Sequence, residues 1–218
     1  MEQISTHQLK QALIYAADRI VENEPYLTEI DSIIGDGDHG IGMRSGFRAL
    51  KDLLERTDYE TAYELFRAAG LELLRVMGGA SGVIFGTLFI SGREAMQAMH
   101  KREVTADELI VSFRASRAAI MKRGRSAPGD KTMLDALFPA IDAMERRRGE
   151  TADIAQVLQA GARGAREGAE ASAHLLPRTG RSKNFREKGI GYPDPGAVST
   201  AILFAGIADY ISSIKEGE

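Results

Sequence analysis

The sequence contains no cysteine, which removes disulfides, thiol nucleophiles and thiolate metal ligands together. It also lacks an excess of charge of either sign. The formal net charge is −3 with acids and bases interspersed, so neither a nucleic-acid footprint nor a polybasic membrane patch stands out. The densest basic run, Arg146, Arg147 and Arg148, falls late in an expected helix before Gly149 and reads as a solvated helix C-terminus. No charged-then-apolar signal pattern opens the chain, and no apolar run approaches membrane-spanning length. The most apolar stretch, Val83 to Ile90, is short and interrupted by Gly86. The expectation is a cytoplasmic protein with no membrane and no nucleic-acid partner. At 218 residues and 44% hydrophobic content, the chain suits a single domain over 1–218 with a substantial core.

Strand patterns are missing too, and the periodicity is helical. Leu9, Leu13, Ala16 and Ile20 follow a capping box from Ser5 to Gln8. Phe47, Leu50 and Leu54 mark a second helix, and Leu65, Ala69, Leu73 and Val76 a third that stops at Gly78 and Gly79. A fourth is expected from Gly82 to Met99. A fifth runs from the capping box Thr105/Glu108 to Gly124. A sixth opens at Asp130, a seventh runs from Thr151 to Ala173, and the last begins at Asp194 with Pro195 in its first turn. The pattern predicts an all-α bundle of about eight helices with short connections, hence antiparallel neighbours. The exception is Leu176 to Tyr192, a long loop carrying Arg178, Arg181, Lys183, Arg186 and Lys188, enough positive charge to close over a polyphosphate.

The chemistry is concentrated in four glycine-rich clusters. In Asp31-Ser-Ile-Ile-Gly-Asp36-Gly-Asp38-His39-Gly40-Ile41-Gly42, two carboxylates flank a glycine and a third stands just before them. Carboxylates without thiols or paired histidines suit a hard cation such as magnesium or calcium. An EF-hand is excluded: counted from Asp36, its fifth position would be Gly40 and its twelfth Phe47, where a ligand and a Glu are needed. Magnesium fits better, and the bland alternative is that Asp36 and Asp38 merely cap the next helix. Gly78-Gly79-Ala80-Ser81-Gly82 suits backbone N–H groups approaching a phosphate, or an ordinary glycine stop followed by a serine cap. In Gly124-Arg-Ser-Ala-Pro-Gly-Asp130-Lys131-Thr132-Met133 the phosphate-loop spacing is absent; Lys131 and Thr132 face a nucleotide, or Asp130 caps a helix. Gly191-Tyr-Pro-Asp194-Pro195-Gly196-Ala-Val-Ser199 is a helix start directly after the basic loop. Each cluster precedes every second helix, so in an up-down bundle Asp36, Ser81, Asp130 and Asp194 gather at one rim. His7, His100 and His174 are isolated, and no Ser-His-Asp arrangement is legible.

These motifs (GDGDHG at 35–40, GGASG at 78–82, PGDKTM at 128–133 and DPGA at 194–197) resemble, in order and spacing, the L subunit of dihydroxyacetone kinase. The resemblance implies a barrel-like bundle of eight antiparallel helices with ADP or ATP at one rim. It implies that Asp31, Asp36 and Asp38 hold a pair of Mg2+ ions bridging to the phosphates. By the same resemblance His39, Gly40, Ile41 and Gly42, with Ala80 and Ser81, contact the phosphates. Gly124 and Met133 lie near the adenine, while Arg181 and the turn Asp194-Pro195-Gly196 hold the nucleotide from the other side. The ketose would sit on a separate K-type subunit, bound through a histidine of that subunit, and this chain would supply no nucleophile. Two versions stay open: ADP as a bound coenzyme recharged by a phosphohistidine M-type subunit of a phosphotransferase system, or freely exchanging ATP. The ketose is equally open, four-carbon sugars such as erythrulose included, and a homodimer is among the possible assemblies. Outside enzymes, the same acids would suit a helical protein that binds metal for structure only.

Overall fold

The computed structural model describes residues 1–91, 101–179 and 186–216. The described residues form nine α-helices, two 3-10 turns and a two-stranded sheet. Helix α1 spans Thr6–Glu22, α2 Glu24–Ile34, α3 Asp38–Arg56, α4 Ala62–Val76 and α5 Gly79–Ile90. After these come α6 (Ala106–Gly124), α7 (Leu134–Arg148), α8 (Ile154–Ala171) and α9 (Pro195–Glu216). Three helices open on reciprocal capping boxes, Ser5 with Gln8, Thr61 with Glu64 and Thr105 with Glu108. In each, the hydroxyl accepts from the backbone N–H three residues on, while the longer side chain reaches back to the cap.

The expected helices correspond to elements, with corrections. Helix α2 belongs to no expected segment, although Leu27, Ile30 and Ile34 are its buried stripe and Pro25 sits in its first turn. The sheet is also an addition: β1 (Gln3–Ser5) pairs antiparallel with β2 (Glu103–Thr105), and the opposed Ile4 and Val104 are both buried. The sixth expected helix starts at Leu134 rather than Asp130. Residues 129–133 are held instead in turns, because Asp135 reaches back to accept from the N–H groups of Gly129 and Thr132. The fourth starts at Gly79, and its expected continuation to Met99 lies outside the described residues.

Each helix from α3 to α9 packs against the next, α1 packs against α3 and α9, and α2 lies on α3. The apolar stripes named above meet in one core: Leu13, Ile20, Phe47, Leu50, Leu54, Leu65, Leu73, Leu137 and Ile141 have no more than 1% of their surface exposed. Each such side chain contributes on the order of 1.5–3 kcal/mol by burial. Helix α9 corrects the reading that no apolar run reaches spanning length. Its Pro195–Lys215 stretch has a mean hydropathy of 1.5 and passes by length and composition, with 56% of the window buried inside the protein. Alanines spaced among serines and threonines hid it as a run.

Close approach between α9 and α1 depends on Gly206, where a Cβ would stand 2.6 Å from the Cα of Ala16 and 2.9 Å from its Cβ. A backbone atom cannot give way as a side-chain tip can. Gly206→Ala gains about 1 kcal/mol of helix propensity, but the clash costs about 1–3 kcal/mol and outweighs it. The expected result is a melting temperature a few degrees lower; an unchanged or higher value would show that the two helices separate freely.

Candidate functional site

The connection from α2 to α3 is short because Gly37 takes a left-handed conformation (φ 78°) and serves as the N-cap without a side-chain bond. The capping acceptor comes from elsewhere. Asp31, in the last turn of α2, accepts from the backbone N–H of His39 at 3.1 Å, placing a carboxylate at the positive end of α3. Asp36 and Asp38 are exposed beside it. As they stand, the three carboxylates do not draw into one ligand cluster; among the described residues no group of three acids or histidines does. Their chemistry nonetheless suits a hard cation, since all their donors are carboxylate oxygens at the end of a helix pair.

Helix α5 begins on exposed Gly78, Gly79 and Ala80, and its N-cap Gly78 makes no side-chain bond. Helix α9 begins at Pro195, with Asp194 accepting from the Ala197 N–H at 2.8 Å. His39 joins these two starts to that of α3: its Nδ1 lies 3.2 Å from Ser81 Oγ and its Nε2 2.8 Å from Ser199 Oγ. The Ser199 hydroxyl donates to the Pro195 carbonyl at 2.9 Å, so it accepts from His39 Nε2–H. That leaves Nδ1 to accept from the Ser81 hydroxyl. The ring is neutral, because burial pushes its pKa down to about 4 against the opposing pull of Asp31 and the Pro195 carbonyl.

The third cluster reaches the same end from the other side. Gly129 and Lys131 are both left-handed (φ 90° and 62°), and Asp130 accepts from the Ala127 N–H at 2.8 Å instead of capping a helix. Lys131 is the larger correction. It does not face outward toward a ligand; it is 1% exposed and donates to the main-chain carbonyls of Ser172, Leu175, Gly189 and Tyr192. Met133 is buried, and a Cβ on Gly196 would touch it at 3.5 Å. An open recess of about 600 Å³ adjoins, lined by Ala118, Met121, Lys122, Arg125, Ala127 and Asp130 among others.

Of the predicted positions, Asp31 and Ser81 therefore bond His39 directly, and Met133 lies against Gly196. Others stand differently: Ile41 is exposed, and Gly40 is buried against α2, where a Cβ would meet the Glu24 carbonyl at 2.6 Å. Arg181 lies outside the described residues. Ser199 and Asp135 escaped the sequence reading as contributors. The only hint for Ser199 was its spacing of one turn beyond Pro195, which lets it bond back to that carbonyl.

Burial also dominates at Asp194, lifting its carboxyl to about 7; Ala197 N–H and Lys131 pull down, while Asp135 and Asp31 push up. A carboxyl that holds its proton longer folded than unfolded stabilises most below the unfolded value. That contribution is lost as pH rises through about 7. In metal-free protein, the denaturant midpoint should therefore carry a component that falls from about pH 4 and levels off above about 7. Asp194→Asn, which keeps the capping oxygen, should flatten that fall; an identical slope in the variant would remove Asp194 as its source. Gly42 gives a second test, since it is helical, half-buried, and nothing within 4 Å would meet a Cβ there. Gly42→Ala should stabilise the free protein by roughly 0.5–1 kcal/mol yet weaken anion binding, if the open space serves a ligand approaching backbone. Equal affinity in a phosphate- or nucleotide-binding titration would show that it does not.

The DAK2 domain family matches residues 33–209. The ADP-binding subunit DhaL of the PEP-dependent dihydroxyacetone kinase of Escherichia coli is 32% identical over 94% of this chain and 97% of its own length. Its counterpart in the PTS-dependent kinase of Lactococcus lactis is also 32% identical, over 89% of this chain and 92% of its own. The D-erythrulose kinase of Mycolicibacterium smegmatis is 34% identical, over 93% of this chain but 35% of its own length. Among solved structures, the dihydroxyacetone kinase of C. freundii in complex with AMP-PNP and Mg2+ superposes with a TM-score of 0.70 at 26% identity. This chain is covered over 94% and spans about a third, 34%, of that longer one. The chain belongs to the DAK2 domain family, that of the L subunit of dihydroxyacetone kinase.

Proposed function

We propose that this chain is the adenine-nucleotide-carrying subunit of a dihydroxyacetone-type kinase, a phosphotransferase that uses ADP as a bound coenzyme within a phosphotransferase system. The observation that carries the reading is the meeting of three helix starts, those of α3, α5 and α9, around His39. First-turn N–H groups and small residues at one place form an anion site. The names of the full-length relatives, ADP-binding subunits, supply the anion's identity.

In this reading Asp31, Asp36 and Asp38 would hold two Mg2+ ions, whose charge would offset that of the phosphates. The chain's own residues position and polarise. His39 to Gly42, with Ala80 and Ser81, offer N–H and hydroxyl donors to the phosphates. Gly124 and Met133 border the adenine beside the open recess, while Arg181 and the Asp194-Pro195-Gly196 turn hold it from across. Preorganised donors and charge neutralisation account for the acceleration of such transfers without a nucleophile on this subunit. The ketose rests on a K-type subunit, and a phosphohistidine M-type subunit recharges the nucleotide. The whole of 1–218 acts as one domain in the cytoplasm. The neighbour order α1, α3 to α9 and back to α1 supports a barrel-like closure of eight antiparallel helices, with α2 outside. A second reading, an ATP-dependent kinase for a four-carbon ketose, is supported by the 34% identity to D-erythrulose kinase.

Native mass spectrometry of the purified chain with Mg2+ should show retained ADP. If neither ADP nor ATP binds, the proposal fails. Asp36→Ala should abolish retention while circular dichroism keeps its helical signal; unfolding of that variant would point to a purely structural metal.

A further inference from the structure

We infer that Lys131 is a positioning residue, an internal cation that clasps both ends of the 172–192 segment and so sets how slowly the nucleotide leaves. The inference rests on the nucleotide reading above. The ammonium lies 2.9 Å from Ser172 O, 3.2 Å from Leu175 O, 2.8 Å from Gly189 O and 2.7 Å from Tyr192 O. Two of these carbonyls lie at the entry of the segment and two at its exit. An ammonium has three hydrogens, so at least one is shared among four acceptors, a coordination resembling that of a monovalent metal ion.

The carbonyls have a reason to need it. The 3-10 turns Ser172–His174 and Arg186–Gly189 both meet here, and the Ser172 and Gly189 carbonyls, which also accept from Leu175 N–H at 3.1 Å and Tyr192 N–H at 3.4 Å, turn a second lone pair to the ammonium. Two negative helix ends pointing at one place repel unless a cation stands between them. Asp194 and Asp135 add negative charge close by and oppose the effect of burial on the ammonium. Lys131 meets these demands at a visible cost: its backbone is left-handed, a conformation that side chains other than glycine avoid, and its side chain is 1% exposed. A surface ligand for phosphate would need neither.

The clasp is continuous with the site. One residue earlier, the Asp130 carbonyl accepts from Arg178 N–H at 3.1 Å. Gly191 N–H closes onto the Ala173 carbonyl at 2.8 Å, and Asp194 N–H donates to Ser172 Oγ at 2.8 Å. Two residues later, Met133 packs under Gly196. Lys131 therefore joins the loop proposed to border the adenine to the turn that opens α9. Without its charge, the described ends at 172–179 and 186–192 would separate, and that turn would lose its support.

The test measures the release of a fluorescent ADP analogue from the Mg2+-loaded chain by stopped flow, with hydrogen exchange on peptides 172–179 and 186–192. Lys131→Met should speed release at least 10-fold and expose both peptides together. Lys131→Arg, which keeps the charge but not the compact ammonium, should fall between it and wild type. Gly206→Ala, a destabilised variant away from the clasp, should release at the wild-type rate. Should Lys131→Met not fold, Lys131→Gly suits the left-handed backbone, and millimolar n-butylammonium should slow its release saturably, an effect that general loss of stability cannot produce. A wild-type chain that fails to retain the analogue overturns the nucleotide reading and this inference with it. Retention by wild type with unchanged release from all three Lys131 variants overturns the clasp alone.

Discussion

The neutral imidazole of His39 is the bond on which the arrangement of this rim depends. Its two nitrogens reach hydroxyls on two other helices, and the backbone N–H of His39 donates to a carboxylate from a third. Ser199 has spent its hydrogen on the Pro195 carbonyl, so the tautomer is dictated and the direction of every bond in the chain Ser81–His39–Ser199 follows. A charged imidazole would have no acceptor left for Ser81. Burial prevents that charge, and the network stays directional at neutral pH. The three hydroxyl and imidazole groups thus fix the mutual positions of α3, α5 and α9 at the end where their N–H groups open.

Electrostatics at the same end lean negative. Asp31 and Asp135 both act on Asp194, and Lys131 is a buried cation beside it. Each carboxylate has a structural bond of its own: Asp31 to His39 N–H, Asp135 to the Gly129 and Thr132 N–H groups, Asp194 to Ala197 N–H. Asp31 and Asp194, which read as simply functional, are therefore also caps, and Asp135 holds a turn. Function and helix termination draw on the same dipoles here, since a helix start that welcomes a phosphate welcomes a carboxylate equally.

Much of this was legible beforehand. Spacing of apolar residues locates eight of the nine helices among the described residues, because burial at three- and four-residue steps leaves a strong mark. Helix α2 carries the same mark in Leu27, Ile30 and Ile34, but only three positions show it and its last turn runs into the acidic cluster. The extra helix moved every later cluster by one place in the count, and because all moved together they still share an end. Strands of three residues are too short to show alternation. The direction of Lys131 was not legible at all. A lysine among glycines looks the same whether it faces solvent or carbonyls, and its acceptors lie 41 to 61 residues away. For the same reason the exposure of Ile41 and the packing role of Gly40 against α2 appear only in three dimensions.

The packing of α9 against α1 has a kinetic consequence. Helices α3 to α8 meet partners close in sequence, whereas α9 returns across nearly the whole chain to α1, and His39 bonds Ser199 across 160 residues. Closing so long a loop carries the largest entropy cost in the molecule, to be met only after the local pairs have formed. On contact order, the rim around His39 is expected to assemble after the local helix pairs.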